Sequence, residues 1–232
     1  MKVMSFNTQF CTNFLTKEID FQIMADAIKK FNPDVVGLNE MYDVSHMEEF
    51  DSQTRKLAEL TGMKYYKFAE ACTLEEGTFG NGILSKIPFE SVEIIPVPEE
   101  EIKTGNQLYE PRCLLKVKLE NGFNILIIHF GLNEDEHINA VKTVIENLEE
   151  EKCILMGDFN VTPDNKVLNP IKEKMKDTAD LFEENLMSFP SDKPFKKIDY
   201  IFVSRDIEII SADIPEIISA DHRPHTAEIK MQ

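Results

Sequence analysis

Four short apolar runs in this chain each end in a side chain able to bind a metal ion or a phosphate, and two further segments carry such residues beside short apolar stretches. Residues 3–6 lead to Asn7, 35–38 to Asn39-Glu40, 125–128 to His129, and 154–157 to Asp158-Phe159-Asn160. Residues 197–198 lead to Asp199 and then to the apolar run 200–203, and Ser219-Ala220 precedes Asp221-His222. Such runs have the length of strands rather than of helices. Side chains at strand ends are held on rigid elements and open onto a common rim. One polar residue at a strand end is commonplace; six such segments in one chain point to a shared site.

Helical periodicity lies between these runs. Residues 17–31 place Ile19, Ile23, Met24, Ala27, Ile28 and Phe31 on one stripe, and Pro33 stops the pattern. Residues 45–61 are expected to form a second helix closed by Gly62, and residues 134–150 a third, with Ile138, Val141, Val144, Ile145 and Leu148 on one face. Strands are expected over 2–7, 34–39, 64–69, 82–85, 91–97, 112–119, 123–129, 153–157 and 198–203. Asn121-Gly122 is a hairpin signal, and the segment 99–107, just after Pro96 and Pro98, is expected to be a surface loop. The alternation implies an α/β (α+β) fold, sheet on sheet with helices outside. At 232 residues, with no linker, repeat or low-complexity tract, the chain is expected to be a single domain over 1–232.

Charge decides what the strand ends can do. Glu40, Asp158, Asp199 and Asp221 would repel one another at a common rim unless some protonate or a cation neutralises them. The four cysteines are scattered and form no C-x-x-C pair, so the donors are oxygen-rich. Oxygen ligands favour a hard ion, Mg²⁺ or Mn²⁺, over zinc, and Mg²⁺ leaves positions open for a phosphate oxygen. Cys113 and Cys153 sit in apolar runs and are expected to be buried as small hydrophobes, which fits a reducing, cytoplasmic setting. The net charge of −17 argues against avid nucleic-acid binding, although Lys193, Lys196 and Lys197 could form a local basic patch. No run is apolar for the ~18 residues a transmembrane helix needs, and the N-terminus looks like a strand rather than an export signal. A monomer is expected.

Several segments together resemble the endonuclease/exonuclease/phosphatase superfamily, the DNase I-like group. They are Ser5-Phe6-Asn7, Leu38-Asn39-Glu40, residues 80–85, Glu110-Pro111-Arg112, residues 128–131, Gly157-Asp158-Phe159-Asn160, Ile198-Asp199-Tyr200-Ile201 and Ser219-Ala220-Asp221-His222. They cover nearly the whole chain in the family's order, and the Gly-Asp-Phe-Asn, Ile-Asp-Tyr and Asp-His segments are specific as a set. The resemblance implies a four-layer sandwich, two mixed β-sheets packed face to face with helices outside, and a phosphate-ester hydrolase. It implies that Glu40 is the primary metal ligand and that Asn7 and Asp221 complete or support the metal shell. Asp158, helped by Asn160, would orient or deprotonate the attacking water. His222 would contact the scissile phosphate, Asp199 would fix that imidazole, and His129 would be a second phosphate contact.

The remaining residues have plainer readings beside functional ones. Asn81 is a substrate-binding candidate whose Gly-Asn-Gly setting also suits a purely geometric role. Arg112 is another, and it could equally pair with a nearby carboxylate. His46 and His137 are expected on the surfaces of helices, and His225 to be supporting. Besides a phosphoesterase, the sequence leaves open an abasic-site endonuclease of DNA repair, a sphingomyelinase-like lipid phosphodiesterase, and a non-catalytic binding module. The acidic balance and the absence of Trp weigh against the nuclease, and the complete acid and histidine set weighs against the binding module.

Overall fold

The structure, a computed structural model, describes every residue except 49, 183, 185 and 232. In chain order its elements are β1 (Lys2–Asn7), α1 (Phe21–Phe31), β2 (Val35–Tyr42), α2 (Gln53–Thr61), β3 (Tyr65–Leu74), β4 (Gly77–Ser85), β5 (Phe89–Pro96) and β6 (Cys113–Leu119). They continue with β7 (Asn124–His129), α3 (Glu134–Asn147), β8 (Cys153–Asp158), α4 (Asn169–Lys174), β9 (Met175–Asp177), β10 (Asp199–Ser204), β11 (Ile207–Asp213) and β12 (His225–Met231).

The strands form two six-stranded mixed sheets, ordered β11-β12-β1-β2-β4-β3 and β5-β6-β7-β8-β10-β9. Each sheet has one parallel pair at its centre, β1 with β2 and β7 with β8, and antiparallel neighbours elsewhere. Parallel neighbours need a crossover, and α1 and α3 supply it. Three apolar clusters separate the layers. Val3, Val35, Ile125, Ile127, Ile154, Met156, Ile201 and Val203 fill the space between the sheets. Met4, Phe6, Val36 and Leu38 pack outward against α1 and α2, and Leu126, Ile128, Leu155, Tyr200 and Phe202 pack outward with residues of α3 and α4. The four-layer sandwich expected from the sequence is present.

This layering positions the strand-end residues. Side chains alternate faces along a strand. Residues two or four places beyond the inward-facing Val3, Val35, Ile127 and Met156 are Asn7, Asn39, His129 and Asp158. The register pairs Asn7 with Asn39, His129 with Asp158, and Asp199 with Asp158, so these ends lie level across both sheets. Gly157 makes room for them. Its φ is +148°, and a Cβ there would fall 1.8 Å from the Ile128 carbonyl oxygen, so only glycine fits just before Asp158.

Boundaries differ from expectation at two helix starts. Helix α1 begins at Phe21, not at 17, because Thr12 bridges Ile19, Lys17 adopts a left-handed φ of 62°, and Asp20 Oδ1 accepts the Ile23 N–H at 3.1 Å as the cap. Helix α2 begins at Gln53, after turns over much of 45–52; Glu49, inside the expected helix, lies outside the described residues. Gly62 closes α2 with φ +72°, as expected. The two helical histidine assignments change. His46 is exposed but precedes the helix, whereas His137 is buried, its Nε2 lying 2.9 Å from the Gly131 carbonyl oxygen. Cys11, Cys72, Cys113 and Cys153 are free, and Cys113 and Cys153 are buried. Among the described residues no helix is long and apolar enough to cross a membrane.

Candidate active site

The strand ends meet at one mouth of the sandwich, in a cleft of about 400 Å³, joined there by Asp221 and His222 from the bend before β12 rather than from a strand end. Glu40, Arg112, His129, Asp158, Asn160, Asp221 and His222 line it, and Phe10, Phe79 and Phe189 stand around them. Asp158, almost wholly buried, is the hub. His129 Nε2 and His222 Nε2 each stand 3.6 Å from its Oδ2. Asn7 Nδ2 donates to the same oxygen at 3.0 Å and to Glu40 Oε1 at 2.9 Å, so one amide ties the two carboxylates together. Asp158 Oδ1 accepts the Asn160 N–H at 2.9 Å.

Glu40 reaches this cluster from a bulge in β2, where the register with β4 shifts between Leu38 and Met41. Its φ is 54°, a left-handed conformation that costs of order 1–3 kcal/mol for a residue with a side chain. Asn160 has φ 52°. Left-handed backbone on both sides of the cleft is strain held by the surrounding sheets.

His222 and Asp199 form a second layer of contact. His222 Nδ1 lies 2.8 Å from Asp199 Oδ2, and the Phe189 ring packs 4.8 Å from the imidazole. Asp199 is fully buried, and its backbone N–H donates to Ser188 Oγ at 3.3 Å. Behind it, His225 Nδ1 lies 3.3 Å from the Asp199 carbonyl oxygen. His129 is held differently, with Arg112 Nη1 3.1 Å from its Nδ1 and Asn160 Nδ2 3.2 Å from its Nε2. Arg112 Nη2 donates to Glu110 Oε2 at 2.8 Å.

Burial and charge act on these groups together. Burial pushes the Glu40 carboxyl up, against the Asn7 hydrogen bond that lowers it. Burial also raises Asp221, and it raises Asp158 to about 7 although His222 draws it down. For His222, burial disfavours the proton, but Asp199 and Asp158 outweigh it and lift the imidazole to about 10. His129 is held well below the ordinary value by burial, then by Arg112 and His222.

Not every expected residue faces the cleft. Asn81 is internal: its Oδ1 accepts from Asn39 Nδ2 at 2.8 Å, and its Nδ2 donates to the Cys113 carbonyl at 2.9 Å. A direct substrate contact therefore gives way to a supporting place. Asn7 gives its amide N–H groups to the carboxylates, and its Oδ1 accepts the Gln9 N–H at 3.1 Å, so it supports the acids rather than offering an oxygen. The expected basic patch divides. Lys193 and Lys196 are exposed, but Lys197 turns inward, 3.5 Å from Asp177 and 3.4 Å from the Tyr200 ring centroid, and burial lowers it to about 8. A hollow of about 500 Å³ opens beside the cleft across Lys196 but contains none of the imidazoles.

Three supporting residues were not among the expected site residues. Asn39 joins the sheets, donating to the Ile128 carbonyl at 3.1 Å and accepting the Asp158 N–H at 2.9 Å. Its place beside Glu40 at a strand end was the available signal. Ser188 and Phe189 lie in a loop without periodicity and gave none.

The sequence signature of the Endonuclease/Exonuclease/phosphatase family matches residues 4–222. The chain belongs to that family. Among solved structures, an endonuclease/exonuclease/phosphatase family protein from Bacteroides thetaiotaomicron has a TM-score of 0.80 at 16% identity, covering 100% of this chain and 98% of its own. An endonuclease/exonuclease/phosphatase from Beutenbergia cavernae DSM 12333 has a TM-score of 0.77 at 18% identity, covering 99% of this chain and 71% of its own. ANGEL2, a 2′,3′-cyclic phosphatase, has a TM-score of 0.73 at 15% identity, covering 99% of this chain and 95% of its own. At these identities the likeness shows the fold. No curated protein sequence matches significantly.

Proposed function

We propose that the chain is a divalent-metal-dependent phosphoesterase that hydrolyses a phosphate mono- or diester with an activated water. The observation that carries this reading is Asp158, flanked by two imidazoles at 3.6 Å and tied through Asn7 to Glu40. The donor set fits a hard cation. Asp221 Oδ1 is buried without a hydrogen-bond partner among the described residues, and burial pushes Glu40, Asp158 and Asp221 toward protonation. Crowded oxygen donors without thiolates suit Mg²⁺, with Mn²⁺ able to replace it. Glu40 and Asp221 would hold the ion, with Asn7 in support. When bound, the ion supplies neutralisation of these acids and of charge developing on the phosphate.

The chain's own residues do the rest. Asp158 orients the water and takes up its proton, and Asn160 fixes that carboxylate through its backbone N–H. His222, cationic on Asp199, stabilises the phosphate charge by electrostatics already in place. His129 is a second phosphate contact. A net charge of −17 repels long polyanions, which favours a small or modest substrate.

Hydrolysis of an aryl phosphodiester tests the reading. Chelation should abolish turnover, and Mg²⁺ or Mn²⁺ should restore it. Asp158→Ala should lower kcat/KM at least ~10²-fold. Equal rates for wild type and Asp158→Ala would overturn the assignment. A panel of nucleotides, 2′,3′-cyclic nucleotides, inositol phosphates, lipid head groups and abasic duplex DNA then ranks substrates.

A further inference from the structure

The two cleft imidazoles have opposite partners. His222 presents Nδ1 to a carboxylate, and His129 presents Nδ1 to the Arg112 guanidinium. A guanidinium has donors and no acceptor. Bonding Arg112 therefore requires a bare Nδ1 on His129 and places that ring's proton on Nε2.

Asn160 is the competing influence. Its Nδ2 lies 3.2 Å from His129 Nε2 and 3.1 Å from the Phe130 carbonyl oxygen. The carbonyl can only accept, so the amide nitrogen, not the oxygen, faces the histidine. Asn160 would thus prefer a bare Nε2. Satisfying it would put an N–H on Nδ1, facing an N–H of a cation 3.1 Å away. Charge-assisted hydrogen bonds are roughly twice as strong as neutral ones. The guanidinium contact wins, and Asn160 keeps its bond to Phe130.

Arg112 is itself fixed. It is 8% exposed, bonds Glu110 at 2.8 Å, and lies over the Phe79 ring at 5.8 Å. It contacts the back of the imidazole, away from the Asp158 oxygen that Nε2 faces. We propose that Arg112 is a positioning residue that, braced by Glu110, holds His129 in its Nε2–H form. His129 then meets the phosphate as a fixed hydrogen-bond donor and has no lone pair free to act as a base. This deepens the phosphoesterase reading and rests on it for the phosphate, but the tautomer is open to test by itself.

The experiment is long-range ¹⁵N–¹H NMR of the full chain labelled at histidine, with His129 assigned by its loss in His129→Gln. In wild type, His129 should show an unprotonated Nδ1 and a protonated Nε2. Arg112→Met should move the ring toward the Nδ1–H form and lower kcat about ten- to a hundredfold, with a smaller change in KM. Arg112→Lys, which can still donate, should preserve the tautomer and recover part of the rate. A proton on Nδ1 in wild type, or an unchanged tautomer in folded Arg112→Met, would overturn the proposal. Wild type alone decides the tautomer if the Met variant does not fold. If no phosphoester is turned over, the phosphoesterase reading fails while the spectrum still reports on Arg112.

Discussion

His222 and His129 stand at the same 3.6 Å from one carboxylate oxygen, yet the protein gives them opposite surroundings. The His222 side is built from an acid: fully buried Asp199 overcomes the cost of burying a cation and lifts the imidazole to about 10. On the His129 side stands a cation, and burial together with Arg112 keeps that ring neutral. Histidine is the side chain whose charge is most easily set by its neighbours near neutral pH. Two such residues with unlike partners can give a phosphate site one cation and one neutral donor.

The largest test of this contrast is catalytic. Asp199→Asn keeps the shape of the residue but removes the charge that holds the His222 proton. Its kcat/KM on the aryl phosphodiester should fall about 10⁴-fold, as for the orienting carboxylate behind a working histidine in hydrolytic triads. Glu110→Gln, the matching change on the other side, acts only through Arg112 and should cost about tenfold. Losses of equal size would mean the two sides are not functionally distinct.

The second test is stability against pH in metal-free protein, read as the urea midpoint. His222 has a folded pKa raised above its unfolded value near 6.5. Its contribution is therefore complete below about 6.5 and is lost as pH rises toward about 10. His129 has a lowered folded pKa, so its neutral state begins to cost stability as pH falls below 6.5. His222→Gln should flatten the alkaline side of the profile, and His129→Gln the acid side. If both variants changed the same limb, the charge assignment would be wrong for one of the rings.

How much of this was legible in the sequence follows from the range of the forces involved. Alternation along strands is local, so the ends at Asn7, His129, Asp158 and Asp199 could be read from runs of four or five residues. The sharp stops at Gly62 and Gly122 are equally local, set by glycine in a turn. Helix starts failed where a nonlocal contact intervened. The stripe from 17 to 31 is periodic, yet the bridge between Thr12 and Ile19 takes its first residues. The bulge that aims Glu40 depends on the partner strand β4, and the inward turn of Lys197 on Asp177 and Tyr200, neither of which periodicity reports. The direction of Asn81 is of the same kind: the group that donates to it comes from β2 and the carbonyl that accepts from it from β6.

The smallest expected effect concerns the third imidazole, which sharpens the contrast by touching neither Asp158 nor the cleft. His225 is fully buried, and burial lowers it to about 3, so it is neutral. Its Nδ1 lies 3.3 Å from the Asp199 carbonyl oxygen and its Nε2 3.0 Å from Thr178 Oγ1, whose hydroxyl donates to the Ile201 carbonyl at 2.9 Å. The ring also packs 5.5 Å from Phe182. His225→Phe preserves most of this packing but removes the ring nitrogens from a buried carbonyl and from Thr178, whose hydroxyl keeps the Ile201 carbonyl, at a cost of about 1–3 kcal/mol. The Asp199 carboxylate and its bond to His222 do not depend on that ring, so kcat/KM should change less than about threefold, well below the loss from a catalytic hydrogen-bond donor. A larger fall in activity at unchanged stability would mean that the His222 arrangement extends one residue deeper, through the backbone of Asp199.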